Sequence, residues 1–168
     1  MPNHIMNELA FRDVSQEQIA QIIDATMKDG KVDFSILVPV PLNVWQGSTN
    51  SEQEKAFPLN WYQWNRENWG TKWNAYDTTE PEIGSDSVTI RFETAWSPPR
   101  PWLAALFNKT GLPFQHNWLD EGAERGRTAT FSIHEHFGKT WQEVAATDEM
   151  HRHLHVLHWG VEEFSDDA

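Results

Sequence analysis

No cysteine occurs anywhere in the 168 residues. That excludes a disulfide framework, a thiolate nucleophile, a cysteine zinc site and a cysteine-held iron–sulfur cluster. No apolar run approaches the ~20 residues of a membrane span, and no basic segment leads into an apolar one near residue 1, so a cytoplasmic protein is expected. Positive charge is scarce too, at 13 Lys and Arg against 25 Asp and Glu, a net charge of −12. Direct nucleic-acid binding needs a basic face, and the composition offers none. What is abundant is tryptophan, ten residues, with nine phenylalanines. These supply the apolar surface of one domain, and each indole N–H needs a partner when buried.

The charge is uneven. Residues 141–168 hold seven acids (Glu143, Asp148, Glu149, Glu162, Glu163, Asp166, Asp167) and one base, Arg152. An acidic surface of this kind suits a partner protein with a basic or nucleic-acid-binding face. Glu162, Glu163, Asp166 and Asp167 are the candidate contacts.

Along the chain, Ile5, Leu9 and Phe11 share one face of a strand that Asn7 interrupts. Ser15 and Gln18 spell a capping box, with Val14 and Ile19 at staple positions, opening a helix that Gly30 should stop. Phe34, Ile36 and Val38 then alternate as a second strand, ended by Pro39 and Pro41. Residues 43–58 read as a polar loop, and "LNWYQWNREN", 59–68, as a short helix with Trp61, Trp64, Asn65 and Asn68 along one stripe. "SVTIRFETAW" alternates cleanly, Val88, Ile90, Phe92, Thr94 and Trp96 against Thr89, Arg91, Glu93 and Ala95. A second helix should begin at Ser97, carry Trp102, Leu103, Leu106 and Phe107, and stop at Gly111. "PFQHNWL" and "TATFSIHEHF" form a hairpin around the glycines of "DEGAERGR". The tail after Gly138 reads as an appendage with a helix from Thr147, its stripe being Met150, Leu154, Leu157 and Val161.

This order predicts an α+β, ferredoxin-like split βαβ sandwich, with two helices on one face of an antiparallel sheet. The expected domain is 1–138, with an aromatic-rich insertion at about 42–70. Residues 139–168 would be an acidic, His-rich C-terminal appendage packed on the domain or extending from it.

Two motifs are specific: Trp69-Gly70-Thr71-Lys72-Trp73 within "NWGTKWNAYD", and Thr94-Ala95-Trp96-Ser97-Pro98-Pro99 within "FETAWSPPRPWL". With "LDEG" after them and "MPNHIMN" before, the chain resembles the YubB-type ferredoxin-like domain family of phage, prophage and plasmid genes. The resemblance implies a ferredoxin-like fold and a mobile-element origin, and no chemistry. It departs from the family at His4-Ile5, where a Trp-Cys often stands, and it does not extend to the His-rich tail.

The motif admits two readings. In one, Trp69, Trp73, Tyr76 and Trp96 pack together, Gly70 bends the chain and Ser97 caps the second helix. In the other, Trp69, Lys72, Trp73, Asn74, Tyr76 and Trp96 line a pocket for a planar or anionic ligand. The histidines are a separate candidate. His134 and His136 share a strand face, and His151, His155 and His158 share a helix face, a spacing able to hold zinc or nickel. No P-loop, dinucleotide fingerprint, nucleophile elbow or HExxH is present, so no catalytic residue is assigned. The expected function is a non-catalytic accessory protein without cofactor that binds a host protein and inhibits a bacterial defence system. The alternatives are a metal-dependent enzyme or ligand binder using the histidines, and a homo-oligomer formed through unpaired strand edges and exposed Trp.

Overall fold

The computed structural model describes residues 3–161. Its centre is β1 (His4–Arg12), buried over almost its full length. Ile5, Asn7, Leu9 and Phe11 face one layer and Met6, Glu8 and Ala10 the other, which is why the strand shows no polar side. Helix α1 (Gln16–Thr26) starts at the expected capping box, with both reciprocal Ser15–Gln18 bonds formed. It ends four residues before Gly30. Met27 is already extended and pairs with Val32 in a tiny hairpin of β2 (Met27–Lys28) and β3 (Lys31–Val32). Asp29 and Gly30 turn that hairpin with φ of 52° and 76°, the two positive values that a tight Asp-Gly turn demands.

The expected strand through Phe34 and Val38 does not form. Asp33 accepts from Ser35 N at 2.9 Å, and Asn74 Oδ1 accepts from Phe34 N at 2.9 Å. These bonds wind Phe34–Ile36 into a 3-10 turn and drive the Phe34 ring between Trp69, Phe92 and Trp102. The polar loop contains a short helix, α2 (Ser51–Ala56), capped by Asn50. Helix α3 (Trp61–Asn68), capped by Asn60, is where the spacing placed it.

The remaining elements are β4 (Glu82–Ile83), β5 (Ser87–Ala95), α4 (Arg100–Thr110), β6 (Phe114–Asp120), β7 (Arg127–His134), β8 (Gly138–Ala145) and α5 (Asp148–Trp159). They make a six-stranded antiparallel sheet in the order β4-β5-β1-β6-β7-β8. The four strands β4-β5-β1-β6, with α1 before β4 and α4 before β6, are the ferredoxin-like βαββαβ arrangement, and the fold is α+β of that kind. Its second strand is cut down to Glu82–Ile83, because the chain from Met27 to Pro81 is spent on the inserted turns and helices.

Helices α1 and α4 cover one face. The core there joins Leu9, Phe11, Ile19, Ile22, Val88, Ile90, Phe92, Trp102, Leu106 and Phe114. At about 25 cal/mol per Å², each large side chain so buried contributes about 1.5–3 kcal/mol. The entry to α4 differs from expectation. Pro99 stands at the N-cap position without a side-chain cap bond, and Ser97 Oγ donates to Gly70 O at 2.6 Å instead. Gly111 closes the helix at φ 66° as expected.

Residues 139–161 are not a loose extension. Strand β8 pairs with β7 from His134↔Gly138 to Arg127↔Ala145. Helix α5, capped by Thr147, lies across β1 and β6 on the second face, with Leu154 fully buried. The alternation of β5 turns Thr89, Arg91 and Glu93 to this second face, where the helix and its histidines partly roof them.

A candidate binding face at the aromatic motifs

The two tryptophan motifs divide into residues that knit the backbone together and residues that are held out to solvent. Trp69 belongs to the first kind. It is buried against Phe34 and Trp64, and its Nε1 donates to Val38 O at 2.9 Å. Gly70 adopts φ 88°, and a Cβ there would come within 2.4 Å of Pro101 Cδ, so no other residue fits without displacing α4. Thr71 Oγ1 donates to Ala95 O at 2.7 Å, Thr94 Oγ1 to Ser97 O at 2.9 Å, and Asn65 Nδ2 to Lys72 O at 2.9 Å. Asn74 accepts from Phe34 N and Ala75 N and donates to Asp33. The bonds of Thr71, Asn65 and Asn74 tie the 69–75 segment to β5, α3 and the 3-10 turn, and Thr94 braces the end of β5 against Ser97.

The side chains of Lys72, Trp73 and Trp96 take no part in that knitting. The Lys72 ammonium sits 4.6 Å from the centroid of each indole, sandwiched between them. Both tryptophans remain about two-fifths exposed. An exposed cation–π contact of this kind is worth roughly 0.5–1 kcal/mol. Against it stands the backbone of Trp96, whose φ of 74° is left-handed, a conformation that costs a non-glycine residue about 1–3 kcal/mol. The Trp96 N–H is held by Asn3 O at 2.9 Å. The Tyr62 ring meets the Trp96 edge at 5.9 Å, and the Arg66 guanidinium lies over Tyr62 at 5.4 Å. Beside them a groove of about 450 Å³ opens between α3 and the start of α4, lined by Tyr62, Gln63, Arg66, Glu67 and Ser97.

Of the six proposed pocket residues, then, Lys72, Trp73 and Trp96 come together at the surface. Trp69 and Asn74 are structural, and Tyr76 points elsewhere: its hydroxyl meets His4 Nδ1 at 2.8 Å. Burial and the neighbouring carboxylates of Glu93, Asp77 and Glu121 push the Tyr76 phenol above its ordinary range. The four aromatic residues do not form one cluster, because Trp69 faces the core while Trp73 and Trp96 face out. Tyr62 and Arg66 were not singled out from the sequence; the helical stripe of α3 was the signal that places them on its outer face.

The second face of the sheet holds a buried polar centre. Glu8, only 4% exposed, accepts from Arg91 Nε at 2.8 Å, Asn117 Nδ2 at 3.0 Å and contacts His153 Nε2 at 2.7 Å. Burial raises the Glu8 pKa, but the hydrogen bonds from His153, Arg91 and Asn117 together outweigh it and hold the carboxyl below its usual range. A cleft of about 420 Å³ lies next to this centre, lined among others by Arg12, Arg91, Glu149 and His153. On the opposite face of β6, His116 is enclosed completely; burial, with the charge of Arg100 adding to it, lowers its pKa to about 3. Its Nε2 lies 3.0 Å from Asn7 Oδ1, while Asn7 Nδ2 donates to Thr94 Oγ1, so the ring carries its proton on Nε2.

The candidate metal histidines occupy separate places. His134 and His136 sit at the β7–β8 turn, where His134 Nδ1 accepts from His136 N at 3.1 Å. On α5, His151 Nδ1 accepts from Gly126 N, His155 donates to Val161 O, and His158 lies 3.3 Å from Glu93. Among the described residues no three His, Cys, Asp or Glu side chains are grouped to hold a metal ion. His153, whose Nε2 lies 2.7 Å from Glu8, was not a sequence candidate. Its signal was Glu8, an acid that with Asn7 interrupts an otherwise apolar run from Ile5 to Phe11. Glu162, Glu163, Asp166 and Asp167 lie outside the described residues.

Residues 68–156 match the family described as the ferredoxin-like domain in Api92-like proteins. The chain belongs to this family. The Api92-like match begins at Asn68, directly before the Trp-Gly-Thr-Lys-Trp motif, and runs through β5, α4, β6, β7 and β8 into α5. No curated protein and no solved structure matches the chain. No helix among the described residues is long and apolar enough to cross a membrane.

Proposed function

We propose that this Api92-like domain is a non-catalytic binding protein that docks onto a partner protein through Tyr62, Lys72, Trp73 and Trp96. The observation that carries the reading is the division within the motifs: their other residues serve the backbone, while Trp73 and Trp96 are held exposed with the half-buried Lys72 between them, at the expense of strain at Trp96. Tryptophan, tyrosine and arginine are the side chains that dominate interface energetics, and a central cluster of them beside a groove is what a hot spot requires. In its finer form the proposal is of a phage- or plasmid-encoded accessory protein of the YubB type. It acts in the cytoplasm of the bacterial host and inhibits a defence protein with a basic, nucleic-acid-binding surface. The supports are the resemblance of the motifs and the charge of −12. Glu162, Glu163, Asp166 and Asp167 would add a salt-sensitive contribution.

The test is capture from nuclease-treated host lysate at low and high salt, comparing the wild type with Trp73→Ala/Trp96→Ala and with a chain truncated after Val161. One protein recovered in near-stoichiometric amount by the wild type and lost in the double variant supports the reading. Equal recovery by the double variant sinks the face, and salt-independent recovery sinks the acidic contribution.

A second reading, an enzyme or small-ligand binder, is favoured by the Glu8–His153 contact of 2.7 Å beside a cleft that also holds Arg12 and Arg91. A carboxylate that orients an imidazole is the arrangement general acid–base chemistry uses. Zinc or nickel recovered stoichiometrically, and lost on substituting His153 together with His151, His155 and His158, would support this reading, and a bound ligand or turnover lost in His153→Gln would support its metal-free form.

A further inference from the structure

The two edges of the sheet are treated differently. At one end β4 is only two residues long, and the rest of the β5 edge is covered. Tyr76 and Glu93 exchange backbone bonds at 3.1 and 2.8 Å, and Thr79 N donates to Arg91 O at 3.2 Å. At the other end stands β8, eight residues in uninterrupted register with β7 and with nothing paired to its outer side among the described residues. Proteins blunt such an edge with proline, a bulge or outward charge. Strand β8 has no proline, and its pairing shows no bulge. Its two charged residues are both turned onto α4. Lys139 Nζ donates to Phe107 O and Asn108 O at the helix C-terminus, and Glu143 accepts from Arg100 and Arg127 near its start.

A row of aromatic rings runs to that bare edge. Phe114 pairs with Phe131 and stacks on it at 4.4 Å, and Phe131 pairs with Trp141 and stacks at 6.2 Å. The row stops at Trp141, which is 56% exposed, with Val144 on the strand and Phe137 in the turn before it also exposed.

We propose that two copies of this chain pair through β8, antiparallel, about a two-fold axis that passes at Trp141. The register is set by what the strand carries. With Trp141 opposite itself, Lys139 of each copy falls opposite Glu143 of the other, Thr140 opposite Gln142, and Gly138 opposite Val144. Opposite charges then face each other on the α4 side, and the row of rings continues across the axis into the second copy. Shifting by one residue puts Trp141 opposite Gln142, sets Glu143 against Thr140, and loses both matches. Seven paired residues per chain form an interface smaller than the roughly 1,600 Å² of a standard complex, so association is expected in the micromolar range. This surface lies on β8 and is distinct from the Trp96 face.

Sedimentation of the wild type over about three decades of concentration, starting near 1 μM, should show the mass rising from the 19.5 kDa chain to twice that value. Trp141→Lys sets two ammonium groups face to face on the axis, and Gln142→Lys charges an exposed edge position without touching the core. Both should shift the midpoint by at least about tenfold, circular dichroism confirming that each variant folds. The cysteine-free background gives a register test. Trp141→Cys should oxidise to a disulfide-linked dimer, whereas Gln142→Cys, offset along the strand beyond disulfide reach, should not. A wild type that stays monomeric throughout, a dimer indifferent to both lysine variants, or efficient linkage at Gln142→Cys instead would each overturn the proposal.

Discussion

Replacing His116 with glutamine should make the protein less sensitive to acid, even though it removes a native side chain. In the folded state the imidazole is fully enclosed and titrates at about 3, against an ordinary value of 6.5. Between those values the unfolded chain binds a proton there and the folded chain does not. Stability from this site is therefore complete above about pH 6.5 and is lost as pH falls toward 3. Each unit of separation is worth ~1.4 kcal/mol, so the whole effect is about 5 kcal/mol, of which about 2 kcal/mol is gone by about pH 5. Glutamine retains a donor for Asn7 Oδ1 but leaves space where the ring was, and should cost about 1–2 kcal/mol at any pH. The two stability curves, apart at neutral pH, should converge on acidification and meet near about pH 5. Urea unfolding followed by tryptophan fluorescence at several pH values measures both curves. If His116→Gln loses stability with acid as steeply as the wild type, the buried-neutral assignment is refuted.

Other expectations concern separate parts of the molecule. Gly70→Ala should lower the unfolding free energy by about 2 kcal/mol or more, since the new methyl meets Pro101 and the φ of 88° is strained for alanine; calorimetry would show it. Trp96→Gly removes the same kind of strain, so chemical denaturation should find its stability within about 1 kcal/mol of wild type while partner capture is lost. Glu8→Leu should destabilise by about 2–3 kcal/mol, because Asn117 loses its acceptor and Arg91 keeps only its exposed partner Glu82; no loss in urea titration would contradict the buried centre. In the wild type, the depressed Glu8 pKa adds stability that is present above the ordinary glutamate range and disappears below it, a further acid loss that Glu8→Gln would abolish.

Much of the fold was legible because local chemistry and tertiary context agree. The Ser15–Gln18 box, the alternation of β5, the α3 stripe and the Gly111 stop each carry their own signal and appear where that signal placed them. Expectation failed where a distant residue decided the conformation. The alternation of Phe34, Ile36 and Val38 is genuine, yet Asn74, forty residues on, captures Phe34 N and turns the segment away from the sheet. Gly30 looked like a helix stop and instead turns a hairpin, since nothing local distinguishes the two uses of a left-handed glycine. Strand β8 was hidden because its exposed edge and outer face leave no apolar alternation to read. At the candidate face, the sequence supplied the residues but not their division into structural and displayed. That division depends on which side of the 69–75 turn meets β5.

The position of β1 has a consequence for how the chain is made. Its partners are remote: His4 pairs with Ala95 and Ile5 with Asp120. Strand β1 thus leaves the ribosome before either of its sheet neighbours, β5 and β6, which are synthesised long afterwards. At roughly 5–20 residues per second, about 6–20 seconds pass before β6 is available. During that interval a segment with apolar side chains on both faces has no native mate, and its closure then spans most of the chain, a topology that folds slowly. Newly made chains should therefore depend on a holding chaperone during synthesis, far more than the finished, acidic protein does once β1 is enclosed.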